Sequence, residues 1–270
     1  MLAAHTADGD VGYRTEGHGS PLVLIMGYSG SMDAWEPSFV DALARNHQVV
    51  VFDNAGIGKT AGLPAPLTIT AMANQTAALI TALHFSRADV LGWSMGGMIA
   101  QALAATHPGL VDHLVLCATL PGNGRGTPPS ASAVQQLVNA GNNPAAALGL
   151  LFPPSQTAAQ QRYVAGIVGY PGYYEAPAKV DAAQLGTLSG WVSGKEPAGA
   201  RIGSISSPTL VADGTADVLV PVANDHTLVA DIPGAQLVLY PGAGHAFMFQ
   251  DEAAFLARLR SFLEPAAPAQ

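Results

Sequence analysis

The stretch Gly92-Trp93-Ser94-Met95-Gly96-Gly97 decides the fold, because it lies where an apolar run at 88–92 meets a helix-like stretch at 95–107. Its spacing, Gly-x-Ser-x-Gly, is that of a sharp strand-to-helix turn that exposes a serine hydroxyl. Small residues are needed two positions before and after the serine, since strand and helix nearly touch there. A string of this kind also occurs by chance in glycine-rich turns, but its position after a predicted strand favours Ser94 as a nucleophile.

Short apolar runs alternate with helix-like stretches on both sides of this turn. Runs of this length that end in glycine or polar turns are typical of strands buried on both faces. The runs are 22–26, 48–52, 88–92, 113–117, 208–212 and 236–240, and the helix-like stretches are 35–45, 69–84, 95–107, 222–230 and 251–263. The alternation predicts an α/β fold with a mostly parallel, doubly wound sheet that helices cover on both faces.

The alternation stops between residues 121 and 207, where the chain is rich in Gly, Pro, Ala and Ser. Helical pieces are predicted near 134–139 and 158–168 within this segment. We therefore expect a core made of residues 1–120 and 208–270, interrupted by a mainly helical cap insertion at 121–207. A cap in this place should lie over the carboxyl edge of the sheet, where loops carry function.

Two residues downstream of Ser94 could activate it. A serine hydroxyl barely ionises at neutral pH, so it needs a base and a carboxylate that holds this base in the right tautomer. Asp217 follows one predicted strand and His245 follows the next in a glycine-rich turn, so both should reach the same edge of the sheet as Ser94. Asp213 is the rival acid, but its position favours closing the strand. The sequence predicts Ser94, Asp217 and His245 as catalytic residues.

Backbone N–H groups should also face the oxyanion that forms during acyl transfer. Met95 directly follows the predicted nucleophile at the start of a helix, and Tyr28 lies in the loop after the run at 22–26. We predict that the backbone N–H groups of Tyr28 and Met95 form the oxyanion hole.

Aromatic and thioether side chains flank the predicted catalytic loops and occur throughout the insertion, which has few charges. For any single one of them, docking the cap onto the core is the simpler role. As a set, such soft side chains suit an uncharged acyl group, and they predict a pocket for a small to medium neutral ester or lactone. The predicted pocket residues are Met26, Tyr173, Trp191 and Phe247.

The bulk composition excludes several classes of partner. The chain has 11 Lys plus Arg against 19 Asp plus Glu, and this net charge of −8 disfavours binding to nucleic acid and to anionic membranes. Cys117 is the only cysteine, so neither an intramolecular disulfide nor a cysteine-based zinc site is expected. We expect a small-molecule substrate, no metal, no cofactor and a soluble protein, cytoplasmic unless a signal peptide has been removed. The oligomeric state stays open.

Together these stretches resemble the α/β-hydrolase superfamily, and within it the serine hydrolases with a small cap, such as carboxylesterases and perhydrolases. The resemblance covers nearly the whole chain and rests on residues 26–28, 53–58, 92–97, 214–217 and 244–245. It implies the chain order nucleophile, acid, base, and cleavage of an ester through an acyl-enzyme. Two positions depart from the common pattern. Met26 stands where relatives often carry His, and Ala55 stands where they often carry Arg, which removes the ion-pair partner of a structural carboxylate.

Other functions on this scaffold stay open. A cofactor-free perhydrolase or haloperoxidase, a carbon–carbon bond hydrolase, and a small-molecule receptor with a slow triad would all keep the same three residues. Dehalogenases and epoxide hydrolases of this superfamily use an aspartate nucleophile, so Ser94 argues against both. The stretch Gly56-Ile57-Gly58-Lys59-Thr60 resembles the end of a phosphate-binding loop, but the first glycine of that motif is replaced by Asp53, whose carboxylate would repel a phosphate.

Overall fold

The computed structural model describes residues 1–140 and 144–264 and contains one eight-stranded sheet. The strands are β1 Leu2–Thr6, β2 Gly9–Glu16, β3 Ser20–Ile25, β4 His47–Phe52, β5 Ala88–Trp93, β6 Val111–Cys117, β7 Thr209–Gly214 and β8 Gln236–Tyr240. Their order across the sheet is β1-β2-β4-β3-β5-β6-β7-β8. The strands from β3 to β8 run parallel, whereas β1 and β2 form an antiparallel hairpin that continues antiparallel onto β4. The predicted mostly parallel sheet is confirmed, with the addition of this unpredicted hairpin.

Helices cover both faces of the sheet, as predicted. Their bounds are α1 Pro37–Ala44, α2 Ile69–Ala82, α3 Met95–Thr106, α4 Ala131–Ala140, α5 Pro144–Leu151, α6 Thr157–Ile167, α7 Ala178–Val192, α8 Ala223–Asp231, α9 Phe247–Gln250 and α10 Glu252–Leu263. None of the helices within the described residues combines the length and the apolar character needed to cross a bilayer.

Alternate residues of each central strand enter two separate hydrophobic clusters, because successive side chains of a strand point to opposite faces. In β3, Val23 and Ile25 pack with α2, α3 and α8, whereas Leu22 and Leu24 pack with α1 and α10. All four side chains are fully buried. Burial on both faces explains why the strands read as continuous apolar runs.

Between β6 and β7, the part of the chain that the structure describes contains four α-helices, α4 to α7. The predicted pieces at 134–139 and 158–168 correspond to α4 and α6, whereas α5 and α7 were not predicted. Helix α7 has the sequence AKVDAAQLGTLSGWV, in which small residues on all sides hide the periodic apolar stripe that identifies an amphipathic helix.

The insertion is tied to the core by a helix cap. The carboxylate of Glu196 accepts hydrogen bonds from the backbone N–H groups of Ile69 and Thr70, at 3.0 and 2.8 Å. These N–H groups begin α2 and have no partner within the helix, so an acceptor there stabilises its first turn. One end of the insertion is therefore held against the amino end of α2.

Candidate active site

Ser94 lies on a strained turn between β5 and α3. Its backbone adopts φ 57° and ψ −120°, a region that residues other than glycine rarely occupy. The turn is held by hydrogen bonds from the Ser94 N–H to the Cys117 carbonyl, at 2.8 Å, and from the Thr119 hydroxyl to the Ser94 carbonyl, at 2.7 Å. Ser94 is the one residue of 91–100 that is not buried. The turn therefore leaves Ser94 partly exposed.

The glycines of the turn are required by close approach of the backbone. A Cβ atom at Gly92 would lie 2.3 Å from the Gly96 carbonyl oxygen, and one at Gly96 would lie 2.0 Å from the carbonyl oxygen of Ile25. Both distances are far below van der Waals contact. The structure therefore confirms that small residues are needed on both sides of the serine.

The structure brings His245 and Asp217 together. The Nδ1 atom of His245 lies 2.6 Å from Oδ2 of Asp217, and the two side chains are 3% and 0% exposed. The other oxygen of Asp217 accepts from the N–H groups of Leu219 and Val220, at 2.7 and 2.9 Å. A carboxylate oxygen beside Nδ1 favours the imidazole tautomer that carries its proton on this nitrogen. The Nε2 atom of His245 is then left as an acceptor.

Trp93 links this pair to the serine turn. Its indole N–H donates to the backbone carbonyl of His245 at 2.9 Å, and the two rings lie 5.8 Å apart. Since Trp93 directly precedes Ser94, this hydrogen bond holds the loop of His245 beside the serine. Neither this contact nor the hydrogen bond from Thr119 was predicted from the sequence. No sequence signal indicates Thr119, and the only signal for Trp93 is its position next to the serine.

Replacing Trp93 with Phe is expected to lower kcat/KM about tenfold, because the lost hydrogen bond is worth about 1 kcal/mol or slightly more and holds His245, the predicted base, in place. Trp35 is the matched control. It is fully buried, lies 6.0 Å from the Trp93 ring, and its indole N–H has no hydrogen-bond partner among the described residues. Trp35→Phe should cost similar packing energy and leave kcat/KM within about threefold. The melting temperatures of both variants are measured as well, to compare their stability. Equal losses of kcat/KM in the two variants would contradict a positioning role of Trp93.

The loop after β3 adjoins the serine. A Cβ atom at Gly27 would lie 3.1 Å from Cβ and 3.8 Å from Oγ of Ser94, and the Asn54 side-chain amide holds the loop by donating to the Met26 carbonyl at 2.8 Å. Within residues 1–140 and 144–264, the N–H groups of Tyr28 and Met95 donate no hydrogen bond to another group. Both are therefore available for an incoming oxyanion.

Asp213 and Asp225 lie behind Asp217 in the core. Asp213 is fully buried and accepts from the Gly214 N–H at 2.6 Å, as expected of a residue that closes its strand. Burial, followed by the charges of Asp217 and Asp225, raises the pKa of Asp213 well above its ordinary value. Burial and then Asp217 raise the pKa of Asp225 to about 8. Of the three carboxyl groups, Asp217 is the one hydrogen-bonded to His245.

Replacing Asp225 with Asn is expected to stabilise the protein at alkaline pH. Its folded-state pKa of about 8 lies above the ordinary value of 3.8, so the folded state binds more protons than the unfolded state between these values. Stability is therefore lost as the pH rises through about 8. At pH 9 the variant should melt at least about 2–4 °C above the parent, which corresponds to about 1 kcal/mol for a chain of this size. Near pH 4 this contribution should vanish.

Circular dichroism melting curves between pH 4 and pH 9 measure this difference. Asp41→Asn, at an exposed position on α1, is the matched control. A difference between the Asp225→Asn variant and the parent that stays constant across this range would contradict the prediction.

The predicted pocket residues are placed in different environments. Trp191 is fully buried, and its indole N–H donates to the Leu120 carbonyl at 3.2 Å. Phe247 is also fully buried, and it packs 5.0 Å from Tyr240 in an aromatic cluster behind His245. These contacts give Trp191 and Phe247 a role in packing, and their assignment to the substrate pocket stays a prediction. Met26 is 2% exposed in the loop beside Ser94, and Tyr173 is half-buried in the turn before α7.

A tyrosine of the insertion binds the carboxylate of Asp53, for which the resemblance implies an arginine partner at position 55. The Tyr174 hydroxyl donates to Oδ2 of Asp53 at 2.5 Å, and the Met32 N–H donates to Oδ1 at 2.8 Å. A Cβ atom at Gly58 would lie 2.3 Å from this carboxylate. The Asp53 side chain thus fills the turn that resembles a phosphate-binding loop, and the phenol of Tyr174 binds this carboxylate.

Comparison with known proteins agrees with this geometry. The family model described as the alpha/beta hydrolase fold matches residues 20–252. A protein from Pseudomonas savastanoi pv. phaseolicola that carries the name carbamate hydrolase RutD is 30% identical over 257 residues, which cover 90% of this chain and 93% of the relative.

Solved structures show the same architecture. An alpha/beta hydrolase fold protein from Chitinophaga pinensis superposes with a TM-score of 0.85 at 25% identity, covering 98% of this chain and 97% of that one. The esterase RhEst1 from Rhodococcus sp. ECU1013 superposes with a TM-score of 0.78 at 26% identity, covering 98% and 99%. With the family model matching most of its length and the strained serine turn at the centre of the sheet, this chain belongs to the α/β-hydrolase fold family.

Proposed function

We propose that this hydrolase cleaves a small to medium neutral carboxylic ester or lactone through an acyl-enzyme on Ser94. The observation that carries the proposal is the buried hydrogen bond of 2.6 Å between His245 and Asp217, beside a partly exposed serine on a strained turn. Each of the three residues follows the carboxyl end of a parallel strand, which is where this fold places catalytic groups.

The proposed reaction uses the chain's own residues for every proton transfer. The Nε2 atom of His245 takes the proton of the Ser94 hydroxyl while Oγ attacks the carbonyl carbon. The oxygen that gains negative charge is met by the N–H groups of Tyr28 and Met95. His245 then gives the proton to the leaving oxygen as the ester bond breaks. Water, deprotonated by the same nitrogen, releases the acid and restores Ser94.

Several observations favour a neutral substrate. The net charge is −8, and the ionisable groups buried behind Asp217 are two further carboxyl groups, Asp213 and Asp225. Neither would attract a negatively charged substrate. The names of the relatives, an esterase and a carbamate hydrolase, describe hydrolysis of compounds whose carbonyl carbon carries a second oxygen. The same attack by Ser94 would serve an ester, a lactone or a carbamate.

A panel of p-nitrophenyl acyl esters of increasing chain length tests the proposal. We expect a burst of nitrophenol followed by steady turnover, with the highest kcat/KM for short to medium acyl chains. A parallel assay for peracid formation in hydrogen peroxide measures the competing perhydrolase activity. Burst release without further turnover would favour a receptor, and preference for a carboxylated or phosphorylated substrate would contradict the neutral pocket.

A further inference from the structure

The backbone carbonyl of Ser94 accepts a hydrogen bond from outside its own helix. The hydroxyl of Thr119, two residues after the end of β6, donates to this oxygen at 2.7 Å. The N–H groups of Gly97 and Met98 in α3 donate to the same oxygen, at 2.9 and 3.3 Å. Thr119 is fully buried and makes the shortest of the three hydrogen bonds. Its hydroxyl therefore supports the serine turn from the neighbouring strand.

The glycine at position 97 leaves the space for this hydroxyl. A Cβ atom at Gly97 would lie 2.6 Å from Cβ and 2.7 Å from Oγ1 of Thr119, so a larger residue would displace Thr119. Gly97 lies inside α3, where alanine would stabilise the helix more than glycine does. The Gly-x-Ser-x-Gly turn itself needs glycine only at positions 92 and 96. The contact with Thr119 thus gives a reason for the additional glycine at position 97.

The backbone is fixed on both sides of Thr119. Ala118 adopts a positive φ of 48°, and its N–H donates to a carbonyl of β7 at 2.9 Å. The Leu120 carbonyl accepts from the side chains of Gln101 and Trp191, at 3.0 and 3.2 Å. A left-handed backbone is strained at a residue that has a Cβ atom, and it persists only where the surroundings hold it. Because both neighbours of Thr119 are hydrogen-bonded, its hydroxyl has a defined position.

The carbonyl of Ser94 and the N–H of Met95 belong to the same peptide unit. A trans peptide unit is planar, and its C=O and N–H point in opposite directions. A hydrogen bond that fixes the Ser94 oxygen therefore also fixes the direction of the Met95 N–H. Hydrogen bonds in series polarise one another, so donation by Thr119 also makes this N–H a stronger donor. The Met95 N–H is one of the two groups predicted to bind the oxyanion.

We propose that Thr119 is a positioning residue that directs the Met95 N–H towards the oxyanion, and that Gly97 leaves the space for it to do so. The inference rests on the proposed function of Ser94. Thr119 acts on the reaction only through the peptide unit between Ser94 and Met95. The carbonyl oxygen of an ester gains its negative charge as the tetrahedral intermediate forms, so the effect should appear in kcat and leave KM unchanged.

Two substitutions separate the hydroxyl of Thr119 from the shape of its side chain. Thr119→Val removes the donor and is expected to lower kcat for p-nitrophenyl butyrate about tenfold, less than the roughly 10²–10³-fold cost of deleting an oxyanion donor. Thr119→Ser keeps the hydroxyl and should restore kcat to within about threefold of the parent. Thr76→Val is the matched control, since Thr76 is fully buried in α2 and its hydroxyl donates to the Met72 carbonyl at 2.9 Å. This control should keep the parental kcat.

Two ketone inhibitors measure binding of the oxyanion separately from turnover. Trifluoromethyl propyl ketone adds to a serine hydroxyl and forms an oxyanion, whereas methyl propyl ketone binds mainly without this addition. The inhibition constant of the fluorinated ketone should rise about tenfold in Thr119→Val, and that of the methyl ketone should stay unchanged. Hydration of the fluorinated ketone in water is the same for every variant and cancels in the comparison. A purely structural role of Thr119 would weaken both ketones alike.

Gly97→Ala is a second variant, which serves if Thr119→Val does not fold. Its new Cβ atom would displace the Thr119 side chain, so kcat should fall and the fluorinated ketone alone should bind more weakly. All constants are measured well below the melting temperature of each variant, so that unfolded protein does not lower the rate.

The outcomes separate this inference from the proposed function. Parental kcat in Thr119→Val, equal losses in the valine and serine variants, or equal weakening of the two ketones would each overturn the role of Thr119 and leave ester hydrolysis by Ser94 intact. A parent that hydrolyses no ester would overturn the proposed function and this inference with it. A loss of kcat in Thr119→Val that serine rescues, together with weaker binding of the fluorinated ketone alone, would support the inference.

Discussion

Replacing Ser94 with Ala is expected to lower kcat for ester hydrolysis by roughly 10⁴-fold or more, leaving only the contribution of binding and the oxyanion hole. The substitution removes the hydroxyl and keeps Cβ, so the strained turn and its hydrogen bonds to Cys117 and Thr119 should survive. Its melting temperature should therefore stay close to that of the parent.

Labelling with a fluorophosphonate probe gives an independent measurement. The parent should be labelled at one equivalent, and the Ser94→Ala variant should not be labelled. Ser204→Ala, at an exposed serine whose hydroxyl donates to the Arg201 carbonyl, should react like the parent. Stoichiometric labelling of the Ser94→Ala variant would show that another residue is the nucleophile.

Replacing Asp217 with Asn is expected to lower kcat by roughly 10⁴-fold, a loss almost as large. The new amide would present a donor or a neutral oxygen to His245, and it would no longer keep the proton on Nδ1. The imidazole would then favour the tautomer with Nε2 protonated, which cannot take the proton of Ser94. The oxygen that accepts from Leu219 and Val220 is retained, so the loop should keep its shape.

Asp213→Asn is the matched control for the acid. Asp213 is fully buried near the end of β7, four residues before Asp217, and burial followed by the charges of Asp217 and Asp225 raises the pKa of its carboxyl group well above the ordinary value. Because an amide is neutral and of similar shape, the variant should lose less than about tenfold in kcat and should mainly change stability. A loss at Asp213 equal to or larger than that at Asp217 would contradict the assignment of the acid.

The architecture of the sheet could be read from the sequence because it follows from local patterns. The six strands from β3 to β8 were predicted as continuous apolar runs, and burial on both faces of a parallel sheet produces such runs. The hairpin of β1 and β2 was not predicted, since only three of its 13 residues are buried and it carries no comparable apolar run. Helix α7 was not predicted because alanine, glycine and serine hide its buried face.

The convergence of Ser94, Asp217 and His245 could also be predicted, because carboxyl ends of parallel strands share one edge of the sheet. Their catalytic roles remain predictions, which the variants above address. Residues that line a substrate pocket are harder to predict from the sequence. Trp191 and Phe247 belong to types that serve equally in packing and in binding, and only their neighbours distinguish the two uses.

The sequence by itself determined the six parallel strands with the helices that alternate with them, the serine turn with its glycines, and the strand ends that carry the predicted acid and base. Each is encoded by residues within a few positions of one another. Tertiary structure alone decided the contacts between distant segments. The bond from Trp93 to His245 spans 152 residues, and that from Tyr174 to Asp53 spans 121. Gln184 meets Ser29 across 155 residues, and no local pattern specifies such pairs, because they form only when separate elements pack together.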